Sequence, residues 1–278
     1  MCRVAVSARN LSTPTMSDPF VPRAGGILSA DIAVPEHERE VRFYSRVLTT
    51  GEKPLWREDL MNNRGMPIIG LGQRIPEYEG LPLQWMPHIQ VEDVAASAAR
   101  ALELGGKEIM HGKDESGASL WAAFFDPSGA AFGIMPVVKP EQMTKPDASS
   151  DLDAPVGCIA WVDLTVADAS AIRDFYCKVV GWSAEDVAMG DPSDRYADYN
   201  MVCGDGNAAA GICHARGVNV GVPAVWMHYL PVGDLEESVR RVEDEGGEVV
   251  KTTSGSDGKL EVAVVKDPVG VCFALAAG

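Results

Sequence analysis

The sequence predicts an α+β fold of four βαβββ units arranged as two tandem domains. Three observations lead there. The two halves of the chain resemble each other, and inside each half a strand–helix–strands theme occurs twice. Between the halves, 138–156 is rich in Pro, Ser and Asp and has the composition of a linker. The predicted domains are therefore 26–137 and 157–278, preceded by a loose tail at 1–25.

Taken in chain order, the first half opens with the alternating run ILSADIAV (27–34), a strand, followed by a charged segment carrying Phe43-Tyr44. A second strand ends in IQVED (89–93). Asp93 then caps a helix whose apolar residues Val94, Ala98, Ala101 and Leu102 share one face, and Gly105 stops it. Turns at 116–119 (SGAS) and 126–129 (DPSG) separate the strands that follow. The second half repeats the order. Asp168 caps a helix on which Ile172, Phe175, Tyr176, Val179 and Val180 form one face. Asp234 caps another that Gly246 ends, and turns fall at 256–259 and 267–270. The units run at about 27–80, 83–137, 157–215 and 223–277.

Matched motifs fix the duplication. Phe43-Tyr44 falls on Phe175-Tyr176 at a separation of 132. Trp85-Met86 falls on Trp226-Met227, Gly105-Gly106 on Gly246-Gly247 and Asp126-Pro127 on Asp267-Pro268, each at a separation of 141. The second half thus holds nine extra residues between Tyr176 and Asp205, and the turn-rich 181–199 is read as a longer loop that accommodates them.

With 278 residues, 46% of them hydrophobic, the chain can bury two ordinary cores. Its formal charge of −16 repels phosphate backbones and anionic lipids, which argues against nucleic-acid and membrane partners. The six cysteines show no C-x-x-C spacing and read as reduced thiols of a cytoplasmic protein. No apolar run reaches the length of a spanning helix, and the N-terminus lacks the apolar core of a secretory signal. Met1 and Met16 are both candidate starts.

WVDLTVADASAIRDFY (161–176), with Leu164, Val166, Asp168, Phe175 and Tyr176, resembles the entry motif of the vicinal-oxygen-chelate superfamily of glyoxalases, bleomycin-resistance proteins and dioxygenases. The companion pattern, Val-x-Asp, a helix ending Gly-Gly, then Asp-Pro-x-Gly and an apolar strand, occurs in both halves. The resemblance implies that each pair of units curls an eight-stranded mixed sheet into an open cup with its helices outside. It also implies a divalent metal held by three inward residues per cup. Those positions here carry Ser29, Met86 and Gly133 in the first half, and Trp161, Met227 and Ala274 in the second. None suits Mg, Mn, Fe or Zn, so no metal and no other cofactor is expected. The branch most similar is the metal-poor tandem glyoxalase-like group labelled hydroxylases, which shares Trp161-Val162-Asp163-Leu164; the first half reads Ser29-Ala30-Asp31-Ile32.

By strand alternation Asp31 and Asp163 share the inward face, as do His88 and Tyr229. Asp31, Asp163 and His88 are thus candidate catalytic residues, with structural ion pairs or satisfied core positions as the alternative. Ser29, Met86, Gly133, Met135, Trp161, Met227, Tyr229 and Ala274 are candidates to line a ligand site, against plain core filling. His228 has the opposite parity, His37 reads as solvated, His111 and His214 stay unassigned, and Cys272 reads as a buried thiol. Several functions remain open. One is a cup that binds a small, largely apolar organic molecule without metal. Others are a lyase, isomerase or hydroxylase using cup carboxylates for proton transfer, a metal enzyme with relocated ligands, and an interaction module. A monomer resembling a fused dimer, or a homodimer, is expected.

Overall fold

A computed structural model of the chain describes residues 22–48, 69–139, 141, 159–190 and 193–278. The first half runs β1 (Ile27–Val34), α1 (His37–Leu48), β2 (Ile69–Gln73), β3 (Met86–Val91), α2 (Val94–Glu103), β4 (Lys107–Lys113), β5 (Ser119–Phe125) and β6 (Ala131–Pro136). The second runs β7 (Trp161–Val166), α3 (Ala169–Val180), β8 (Ser183–Met189), β9 (Tyr196–Val202), β10 (Ala208–His214), β11 (Trp226–Val232), α4 (Leu235–Asp244), β12 (Glu248–Ser254), β13 (Leu260–Lys266) and β14 (Cys272–Ala277).

The second half is one eight-stranded sheet of order β12-β13-β14-β11-β7-β10-β9-β8. It is mixed: β7 pairs parallel with β10 and antiparallel with β11, which pairs parallel with β14. The first sheet, β2-β1-β3-β6-β5-β4, repeats six of those places in the same order. The sequence that would supply the remaining two, 49–68, lies outside the described residues. Most of the expected linker and residues 1–21 of the tail lie outside them too.

Local chemistry sets the helices. The Asp93, Asp168 and Asp234 carboxylates accept from the backbone N–H three residues on, at 2.9, 3.0 and 2.9 Å, which satisfies an otherwise orphaned donor at each N-terminus. Gly181, at φ 91°, ends α3 in the left-handed conformation.

Two sequence expectations change. The segment 181–199 is mostly strand, because β8 and β9 pair in antiparallel register from Ser183↔Val202 to Met189↔Tyr196. Turn-forming residues there bracket a hairpin rather than fill a loop. The stretch 22–25, read as tail, is tied down: Trp182 Nε1 donates to the Gly25 carbonyl at 2.8 Å, and Arg23 pairs with Asp205 at 3.1 Å.

Each sheet carries its helices on one face, and those faces meet in the middle of the molecule, α1 against α4 and α2 against α3. The repeated motifs lock this joint. Tyr44 donates to Asp267 Oδ2 (2.8 Å) and accepts from Trp85 Nε1 (3.0 Å). Tyr176 donates to Asp126 Oδ2 (3.1 Å) and accepts from Trp226 Nε1 (2.9 Å). Each tyrosine thus reaches the Asp-Pro-x-Gly turn of the opposite half. Around them Phe43 meets Phe273 edge-on and Phe175 meets Phe132, giving one aromatic core shared by both halves. Helices on this side leave the other face of each sheet to form a hollow. No helix among the described residues is long and apolar enough to cross a membrane.

Candidate functional site

Alternation along β1 sends Ala30, Ile32 and Val34 into the shared core and leaves Ser29 and Asp31 on the hollow face. On β3, Ile89 and Val91 go to the core while Met86 and His88 face the hollow. The β1–β3 register places Ser29 opposite His88 and Asp31 opposite Met86. The result is a continuous chain of polar contacts. Ser29 Oγ lies 2.9 Å from His88 Nδ1, and His88 Nε2 lies 3.2 Å from Asp31 Oδ2. Burial pulls the His88 pKa down, and the Asp31 carboxylate outweighs it, so the net shift is upward.

These residues border a cavity of about 550 Å³. Its wall includes Asp31, Met86, His88, Gly133 and Met135 from the sequence candidates, while Ser29 sits behind His88, off the wall. Sequence reasoning did not single out Tyr78, Leu81, Met110 and Trp121, which also line it. Trp121 was within reach, because it alternates with the buried Ala122 and Phe124 on β5. Its indole lies across Gly112, where a Cβ would collide with the ring.

Gly133 is explained by close approach. It pairs with His88 between β6 and β3, and a Cβ there would lie 2.9 Å from His88 Cδ2. The imidazole therefore fills the space a longer side chain at 133 would need. Together with the soft thioether of Met86 and the lone hydroxyl of Ser29, this donor set does not fit a hard divalent cation. In the second half Trp161, Met227 and Ala274 fit no better. Among the described residues no group of three or more His, Cys, Asp or Glu could hold a metal ion.

The second hollow is packed by its own side chains. Met227, Tyr229 and Ala274 are buried with Val262, Val264 and Ala276, and Trp161 packs against them. Trp161 Nε1 donates to Asp163 Oδ1 at 2.6 Å. Asp163 is only 4% exposed, and burial pushes its pKa up to about 7 against the hydrogen bonds from Trp161 and Tyr229. The predicted residues come together here, but on one another.

The remaining histidines now have places. His214 Nδ1 lies 3.1 Å from the buried Asp198, and His111 bridges Glu108 and Ser119. His37 bonds the Leu71 carbonyl at 2.9 Å rather than standing in solvent, because α1 folds back over β2. His228 points away from the hollow into the joint, where burial drives its pKa down to about 3. Burial also raises the Cys272 thiol.

Comparison with known proteins agrees with this architecture in both halves. Residues 158–275 match the Glyoxalase/Bleomycin resistance protein/Dioxygenase superfamily, and 29–135 match a glyoxalase-like domain. The chain belongs to that superfamily, as a tandem pair of its domains. Among relatives of this superfamily member, the anthracycline biosynthesis protein DnrV of Streptomyces peucetius is 32% identical over 131 residues, 43% of this chain and 46% of that one. The match thus spans about half of that relative's length. CFP32 of Mycobacterium tuberculosis, a glyoxylase by name, is 27% identical over 199 residues, 71% of this chain and 70% of that one. Among solved structures, the Mn(II)-bound glyoxalase from Novosphingobium aromaticivorans aligns with a TM-score of 0.53 at 15% identity, over 92% of this chain and 83% of that one. A catechol 2,3-dioxygenase aligns with a TM-score of 0.50 at 14% identity, over 92% and 93%. At such identities the likeness extends to the fold alone.

Proposed function

We propose that the first cup binds a small, largely apolar organic molecule without the divalent metal ion for which the family's ligand positions are named. One observation carries this reading: a cavity of about 550 Å³, within the range of ligand sites, is walled by Leu81, Met86, Met110, Trp121 and Met135 and has its polar pair, Asp31 and His88, at one place. Soft, polarisable thioethers and an indole suit a flat aromatic surface, and the Asp31–His88 pair can orient it. The donor set argues in the same direction, since the imidazole of His88 occupies the room above Gly133. The name of the relative DnrV, an anthracycline biosynthesis protein, supports polycyclic aromatic compounds as the first to test.

The test is thermal unfolding with a panel of hydroxyanthraquinones, in chelator and then with added Mn, Fe or Zn. A ligand at about 100 times its Kd should stabilise the protein by about 2.7 kcal/mol, equally with and without metal. Trp121→Ala and Met86→Ala should weaken that effect. Absence of any stabilisation, or stabilisation that appears only with a metal, would overturn the proposal.

A further inference from the structure

The order of the contacts Ser29–His88–Asp31 decides what they can do. In a nucleophilic serine site the hydroxyl faces the substrate and the carboxylate stands behind the histidine. Here the order is reversed: Asp31 and His88 are on the cavity wall and Ser29 is not. Asp31 is also the open end, its side chain 47% exposed against 27% for His88. Its Oδ2 faces the imidazole, and Oδ1 has no partner among the described residues. A neutral His88 with its proton on Nε2 donates toward Asp31 and accepts from the Ser29 hydroxyl at Nδ1, so both ring nitrogens are satisfied by one tautomer.

Resting on the binding proposed above, we infer that the first cup is a proton-transfer site, in which Oδ1 of Asp31 removes a proton from an acidic C–H of the bound molecule. His88 and Ser29 are positioning residues that fix the carboxylate. The C–H bond breaks, an O–H bond forms on Asp31, and the electron pair stays on the substrate. Return of the proton to a different atom completes a rearrangement that needs no oxidant or second reactant. Among the described residues the cavity lining holds no lysine or arginine. A lining this apolar favours a substrate that spreads the carbanion's charge over itself, an aromatic or conjugated carbon acid.

A flat, apolar carbon acid tests this directly. With 5-nitrobenzisoxazole, removal of the ring C–H proton breaks the N–O bond and releases a coloured cyanonitrophenolate. Binding is measured first on Asp31→Asn, which should hold the probe without converting it. The wild type should then show a saturable rate that Asp31→Asn lowers by about 100-fold or more. Ser29→Ala should slow it roughly 10-fold and shift the His88 ring nitrogens in the NMR spectrum away from a single Nε2–H tautomer. If the probe is held and both proteins convert it equally, the inference falls and the binding proposal stands. If neither protein holds it, the inference falls, and the binding proposal is decided by the hydroxyanthraquinone panel alone. An unchanged His88 spectrum in Ser29→Ala removes Ser29 from the site.

Discussion

Glu40 offers a direct test of how the two halves are joined. It lies on α1 with no exposed surface, at the position the duplication matches to Ile172. Its carboxyl group lies beside that of Asp267, to which it can donate a hydrogen bond only while protonated. Burial first, and the charge of Asp267 second, push its pKa up to about 8 from 4.5. The folded protein therefore keeps a proton that the unfolded chain gives up above about pH 4.5. Stability is full at acid pH and is lost as pH rises towards 8. Linkage puts the loss at roughly 3 kcal/mol by pH 7 and roughly 5 kcal/mol by pH 9. Glu40→Gln keeps the shape and cannot ionise, so it should lie within about 1 kcal/mol of the wild type near pH 5 and exceed it increasingly as pH rises from there towards 8. For a protein of this size the gap at pH 9 corresponds to about 10 °C in Tm. The assay is thermal and urea unfolding of both proteins from pH 5 to 9. Parallel loss of stability in the two would mean that Glu40 ionises in the folded state without penalty, and the reasoning would fail.

Tyr44→Phe removes the donor to Asp267 and the acceptor for Trp85 in the buried joint. It should lower stability by about 2 kcal/mol in urea unfolding, and Tyr176→Phe by a similar amount through Asp126 and Trp226. Equal values for mutant and wild type would show that the tyrosines act by packing alone. In the second hollow, Asp163 is raised from 3.8 to about 7, so its burial weakens the fold progressively between those values. Asp163→Asn should raise stability at pH 8 by up to roughly 4 kcal/mol while changing little at pH 4, as followed by thermal unfolding at the two pH values. Destabilisation at pH 8 would mean that the charge of Asp163 is needed where it stands.

The sequence by itself determined which residues share a face. The two-residue period of a strand puts Ser29 with Asp31 and Met86 with His88, and Gly133 with Met135, on the hollow side of their strands, and the repeated Phe-Tyr and Asp-Pro-x-Gly motifs revealed two copies of one plan. It also determined where α2, α3 and α4 start, because an aspartate caps its own helix through atoms three residues away. Only the tertiary structure decided which faces met. The β1–β3 register, spanning 59 residues, set the order Ser29–His88–Asp31, and with it which group meets a ligand. The bond between Tyr44 and Asp267 joins residues 223 apart. That the first hollow is open while the second is filled by Met227, Tyr229 and their neighbours follows from side-chain packing across several strands. Alternation is a property of neighbours along the chain and is legible there. Cavity, burial and the pKa of a carboxyl group depend on atoms that the chain brings together only when it folds.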